Sequence, residues 1–145
     1  IAYGFDASPT PPSQPDFVVL PRDVIQIKHI LELANRHRLP VTTISGGVNI
    51  AGTAIPTQGG IVLDLKWMNK ILEVNTDAAY VVVEPGVTYD ELTAELSQKG
   101  FRCQLPTSPG GSSPLAQQLL NPSGSLVNRH QDSIIGLEVV LPNGV

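Results

Sequence analysis

A chain of 145 residues with 41% hydrophobic and 15% charged content is long enough for a real core and too apolar to be disordered. Its net charge of −4 excludes generic attraction to nucleic acid or anionic membranes, and no apolar run approaches the ~20 residues of a membrane span. One cysteine, Cys103, excludes an internal disulfide, no CxxC or His/Cys spacing suggests a metal, and a cytoplasmic location is expected.

Residues 1–16 are rich in proline (Pro9, Pro11, Pro12, Pro15) and read as an extended lead-in rather than a helix. Phe17-Val18-Val19-Leu20 reads as a short buried strand. Asp23 is placed as the N-cap of a helix whose apolar stripe is Val24, Ile27, Leu31 and Ala34, broadened by Ile30 and Leu33. Arg36, His37 and Arg38 crowd its C-terminal end, where cations suit the dipole, and Pro40 stops it. Val41 to Ile44 and Ile61 to Leu65 are the next strands, the second following a Gly59-Gly60 turn.

Ile71 to Val74 and Ala79 to Glu84 predict a hairpin turning through Asn75-Thr76-Asp77. Thr88 and Glu91 form a capping box, with Val87 and Leu92 at the spacing of a hydrophobic staple, and Gly100 closes that second helix. Phe101 to Leu105 is expected to be a strand. It leads into a polar, glycine-rich loop at 106–114, where Ser113 before Pro114 marks the start of a short helix. Asn121 to Asp132 is read as a surface loop, and Ile134 to Leu141 as the strongest strand of the chain. Strands alternating with two or three helices indicate an α/β or α+β layered domain, and the lack of GxGxxG after the first strand speaks against a dinucleotide fold of the Rossmann type. The chain opens on Ile1 rather than Met, and Pro142-Asn143-Gly144 is a hairpin signal that leaves Val145 to begin a return strand, so a piece of a longer protein is expected.

Between the strands at 41–44 and 61–65 lies the segment with the clearest chemistry. Gly46, Gly47 and Gly52 permit close backbone approach, and Ser45, Asn49 and Thr53 add short hydrogen-bonding side chains. A concave run of amides of this kind suits a phosphate or pyrophosphate. An ordinary glycine-containing turn fits the same residues, and from the loop by itself both readings stay open.

Several blocks in order resemble a known family: Tyr3 to Ser8, Pro15-Asp16 to Pro21-Arg22, Thr43 to Asn49, Leu63 to Lys66 with Met68 to Ile71, Val83 to Thr88, and Gly136 to Gly144. Together they resemble the FAD-binding domain of the vanillyl-alcohol oxidase and p-cresol methylhydroxylase flavoproteins, a superfamily that includes the flavin subunit of glycolate oxidase and the D-lactate dehydrogenases. The resemblance implies an α+β fold of small mixed sheets with packed helices, here truncated, over residues 1–145. It implies the N-terminal portion of a longer flavoprotein that oxidises a hydroxy acid or a phenolic alcohol by hydride transfer to FAD, with the substrate domain absent and no activity expected of the piece alone.

By position in the family, Ser45, Gly46, Gly47, Val48, Asn49 and Ile50 would wrap the FAD pyrophosphate, Pro85 and Gly86 would line the cofactor channel, Thr107, Ser108, Gly111 and Ser112 would border the pyrophosphate and flavin, and Val140 would lie near the adenine. Many relatives attach FAD covalently through a histidine where this chain has Val48, so binding at the first loop is expected to be non-covalent. Ala116-Gln117 and the segment Asn121 to Leu126 depart from the family's glycine-rich pattern. They motivate an alternative, a flavin-less scaffold or assembly subunit that kept the fold; a binder of some other phosphate ligand is a third reading. No catalytic set and no metal cluster is recognised, and His29, His37 and His130 read as surface residues, while Tyr3, Tyr80 and Tyr89 read as packing residues with a hydrogen-bonded tip. The implied partners are a small-molecule substrate held by the absent part, and a second copy or another subunit covering exposed apolar surface, with no nucleic acid and no membrane span.

Overall fold

The structure, a computed structural model, describes residues 3–46, 49–102, 111–120 and 134–145. These fall into two compact units, one holding residues 3–44, 49–67 and 138–145, the other residues 45–46, 68–102, 111–120 and 134–137.

The first unit is organised by a parallel three-stranded sheet in the order β1 (Phe17–Val19), β3 (Ile61–Asp64), β2 (Val41–Ile44). All four residues of β3 are buried, as a central strand covered on both faces requires. β1 pairs only with β3, so the expected buried strand is an edge strand, with Phe17 and Val18 exposed. The connection from β1 to β2 runs through α1 (Val24–His37), the long crossover that parallel pairing demands. The Asp23 carboxylate caps α1 by accepting the Gln26 N–H at 2.8 Å. Ile27 and Ala34 are buried and Val24 and Leu31 half-buried, which is the predicted stripe, whereas Leu33 points to solvent. At the other end Arg38 turns left-handed and its N–H reaches the carbonyls of Ala34 and Asn35.

Gly60 is the junction of this sheet. Its carbonyl accepts the N–H groups of Asp16 and Phe17 at 2.9 and 3.0 Å, and its own N–H donates to Asp16 Oδ2 at 2.6 Å. A Cβ at Gly60, where φ is +77°, would lie 2.3 Å from the Pro40 carbonyl oxygen, so the approaches to β1 and β2 converge where only glycine fits. The lead-in forms neither helix nor strand, as expected, yet it is pinned. Tyr3 donates its hydroxyl to Asp64 at 3.0 Å, Lys66 bridges both groups, and Ser13 donates its hydroxyl to the Pro56 carbonyl at 2.9 Å.

The second unit is a hairpin packed on a helix. β4 (Ile71–Asn75) and β5 (Tyr80–Val83) pair antiparallel, and Asn75 Oδ1 accepts the Ala78 N–H at 2.8 Å to form the turn. Ile71, Val74, Val81 and Val83 pack against Val87, Leu92 and Leu96, which join α2 (Tyr89–Gln98) to the hairpin. The predicted capping box is complete: Thr88 Oγ1 accepts the Glu91 N–H at 3.2 Å, and Glu91 accepts the Thr88 N–H at 2.8 Å. The staple residues Val87 and Leu92 are both buried. At the C-terminal end Gly100 N–H reaches the Ser97 carbonyl and Phe101 N–H the Leu96 carbonyl, satisfying carbonyls that the helix leaves without partners. α3 (Pro114–Leu120) follows, with Ser113 Oγ accepting the Ala116 N–H at 3.4 Å as its cap.

Of the expected strand Phe101 to Leu105, Phe101 and Arg102 are not in a strand, and the Phe101 N–H helps to close α2; residues 103–105 lie outside the described ones, as do the loops at 106–110 and 121–132. Residues 134–141 form no ladder with any described strand, and Ile135, Leu137, Val139 and Leu141 are exposed at alternate positions. A strand needs a neighbour to share its backbone hydrogen bonds, and an alternating pattern specifies the face without supplying that neighbour. Among the described residues no helix is long and apolar enough to cross a membrane.

Leu92 is only 3% exposed, so Leu92→Ala is expected to destabilise the chain in urea by about 3 kcal/mol. Thr88→Ala, which removes one half of the capping box, is expected to cost about 1 kcal/mol. Equal losses would contradict the division between core and cap.

Candidate functional site

In the second unit the beginning of the first glycine loop meets the end of the second. The hydroxyls of Ser45 and Ser113 both donate to the carbonyl of Pro85, the latter at 2.6 Å. Ser112 and Ser113 are buried, and the Ser112 carbonyl accepts the N–H of Tyr89, itself buried at the start of α2. Gly46 lies against this cluster with φ +59°, and a Cβ there would fall 2.6 Å from the Ser113 nitrogen. Gly46 is therefore glycine for two reasons, its left-handed backbone and the close approach of Ser113. The Gly86 N–H donates to the Met68 carbonyl at 2.7 Å. Pro85 has no N–H, so neither Pro85 nor Gly86 has an amide to offer a ligand. Gly111 is exposed, with open space where a Cβ would stand.

In the first unit the loop continues with Asn49 and Ile50. The Asn49 carbonyl accepts the Ala7 N–H at 3.1 Å, and its side-chain oxygen accepts the Thr53 hydroxyl at 3.3 Å. The Gly52 N–H donates to Asp6 Oδ2 at 3.0 Å. The Ser8 side chain, followed by the amides of Ser8 and Gly52, holds the Asp6 carboxyl below its ordinary value, with partial desolvation working the other way. Because the folded value is depressed, this tie is complete above the usual aspartate range and is lost as pH falls through the folded value. Val140 is half-buried in the extended C-terminal segment. Gly47, Val48, Thr107 and Ser108 lie outside the described residues.

The hydroxyls singled out in the sequence are engaged within the protein: Ser45 gives its one proton to the Pro85 carbonyl, and the exposed Thr53 gives its proton to the Asn49 side chain. The backbone differs. The amides of Asn49 and Ile50, both in the first unit, donate to no acceptor among the described residues. An N–H without an internal partner faces water or a ligand, and neighbouring N–H groups of this sort make an anion site without any cationic side chain. That donor set fits a pyrophosphate.

Asp6, not singled out as a site residue in the sequence, shapes the first loop, and a local signal for it is the Asp-Ala-Ser spacing that favours a side-chain turn. His29 and His37 are exposed. Among the described residues no group of three or more His, Cys, Asp or Glu could hold a metal ion.

Residues 15–145 match the family model described as an FAD binding domain. The chain belongs to this family. It is 35% identical over 148 residues to glycolate oxidase subunit GlcD of Bacillus subtilis, covering 99% of this chain and 32% of that protein. It is 33% identical over 133 residues to the mitochondrial D-lactate dehydrogenase (cytochrome) of Arabidopsis thaliana, covering 90% of this chain and 23% of the relative. The crystal structure of p-cresol methylhydroxylase with substrate bound superposes with a TM-score of 0.83 at 29% identity, over 99% of this chain and 29% of the other. This FAD-binding domain therefore has the α+β fold expected from the sequence, and it spans no more than about a third of the length of these proteins. The comparisons add nothing in favour of a flavin-less scaffold.

Gly46→Ala is expected to lower stability in urea by about 2 kcal/mol from its left-handed backbone alone, with the Ser113 contact adding to the loss. Gly111→Ala, with nothing within 4 Å of the added carbon, should be close to neutral. A tolerated Gly46→Ala would remove the close approach of the two loops.

Proposed function

We propose that this chain holds the ADP-pyrophosphate half of FAD, non-covalently at the first glycine loop, within a longer flavoprotein of which residues 1–145 are the N-terminal portion. The observation that carries this reading is the pair of amides at Asn49 and Ile50 that donate to nothing among the described residues, in a family whose members bind FAD. Gly47 and Val48 would complete the cradle. Pro85 and Gly86 would wall the channel, with Thr107, Ser108, Gly111 and Ser112 on its flavin side and Val140 near the adenine. Backbone dipoles would supply the positive potential that a chain of net charge −4 otherwise lacks.

When bound, the flavin supplies the hydride acceptor, and the protein supplies orientation and electrostatics. A hydroxy acid or a phenolic alcohol is the substrate class supported by the names of the relatives, a glycolate oxidase subunit, a D-lactate dehydrogenase and p-cresol methylhydroxylase. The groups that recognise that substrate would lie in the portion of the relatives' length that this chain does not span. A partner subunit is in keeping with GlcD being named a subunit, and a single cysteine is in keeping with a cytoplasmic location.

Titration of the purified chain with FAD, followed by flavin fluorescence with ADP as competitor, tests the reading. Saturable binding that ADP displaces is the expected result. Binding that ADP leaves untouched, or none at all, would contradict it.

A further inference from the structure

We infer that Asp6 is a positioning residue for the anion-binding stretch of the first glycine loop: its carboxylate captures the Gly52 amide from behind and so keeps Asn49 and Ile50 turned outward. The inference rests on the assignment of that loop to the FAD pyrophosphate, and adds to it a residue of the lead-in, 46 positions before Gly52.

The strap that carries Asp6 is stiffened by its own side chains. Ser8 N–H donates to Asp6 Oδ1 at 2.8 Å, and Thr10 N–H donates to Ser8 Oγ at 3.2 Å, two consecutive side-chain turns. From this strap two bonds reach the loop, Asp6 Oδ2 accepting the Gly52 N–H at 3.0 Å and Ala7 N–H donating to the Asn49 carbonyl at 3.1 Å. The two differ in sense and together fix the direction of the peptide chain between them. The Asn49 carbonyl is held toward the strap, and the Gly52 N–H, which would otherwise compete for an anion, is consumed. The strap also sits close: a Cβ at Gly52 would come within 2.3 Å of Thr10 Oγ1.

A carboxylate next to an anion site is unfavourable by simple charge. Its presence is accounted for if its geometric role outweighs the repulsion, because a hydrogen bond to a charged acceptor is among the stronger kinds. Asp16 makes a useful contrast. It also takes a loop amide, Gly60 N–H at 2.6 Å, but does so at the mouth of β3, beyond the stretch that carries Asn49 and Ile50.

The test compares FAD affinity in the full chain and in Asp6→Asn, Asp6→Glu and Asp16→Asn, with melting temperatures measured alongside. Asp6→Asn keeps the size of the side chain but leaves a single acceptor oxygen for the Ser8 and Gly52 N–H groups together, and is expected to weaken FAD binding about tenfold. Asp6→Glu, which retains the carboxylate, should recover most of that loss. Asp16→Asn should lower the melting temperature while leaving FAD affinity unchanged. Wild-type affinity in Asp6→Asn, or an equal loss in Asp16→Asn, would overturn the inference. If Asp6→Asn does not fold, Ser8→Ala decides in its place: weaker FAD binding supports the positioning role and unchanged binding overturns it. Failure of the unmodified chain to bind FAD would instead remove the cofactor reading itself, and this inference with it.

Discussion

The carbonyl of Pro85 accepts hydroxyl protons from Ser45 and Ser113, and much of the site follows from that shared acceptor. It ties together three stretches of chain far apart in sequence: the exit from β2, the turn after β5 and the start of α3. With both serines drawn to one oxygen, Gly46 is brought against Ser113 so closely that no Cβ fits. The serine side chains are then spent on the protein, and the loop presents backbone. A site of this kind has fixed dipoles rather than mobile charges, which suits a chain that is acidic as a whole.

A second set of constraints acts within the sheet-bearing unit. Its carboxylates are used as acceptors for backbone N–H groups: Asp6 for Ser8 and Gly52, Asp16 for Gly60, Asp64 for Lys66. Two of these amides, at Gly52 and Gly60, would otherwise be loose donors in a glycine-containing turn. The amides of Asn49 and Ile50 are among the donors left over.

Local signals in the sequence were legible where one segment alone decides the outcome. The Thr88–Glu91 capping box, the Asp23 cap and the hairpin turn at Asn75 each depend on residues within a few positions, and each forms. Features that depend on distant neighbours were less legible. Phe17 to Leu20 reads as buried by composition, but an edge position leaves Phe17 and Val18 exposed. The alternation from Ile134 to Leu141 has the pattern of a strand without a described partner. At the site, residue types were read as potential donors, yet where Ser45 and Thr53 spend their protons is settled by Pro85 and Asn49. The family was visible because it is encoded in the order of many modest blocks, whereas the bracing by Asp6 and Ser113 is encoded in their folding together.

The central claim is that backbone amides, rather than serine or threonine hydroxyls, hold the phosphates. Proton–nitrogen correlation spectra of the chain, recorded while ADP is added, test it most directly. The account predicts that the amide resonances of Asn49 and Ile50 move together as ADP saturates, and move equally in Ser45→Ala if that variant keeps its fold. Saturable ADP binding that leaves those two resonances in place would contradict it.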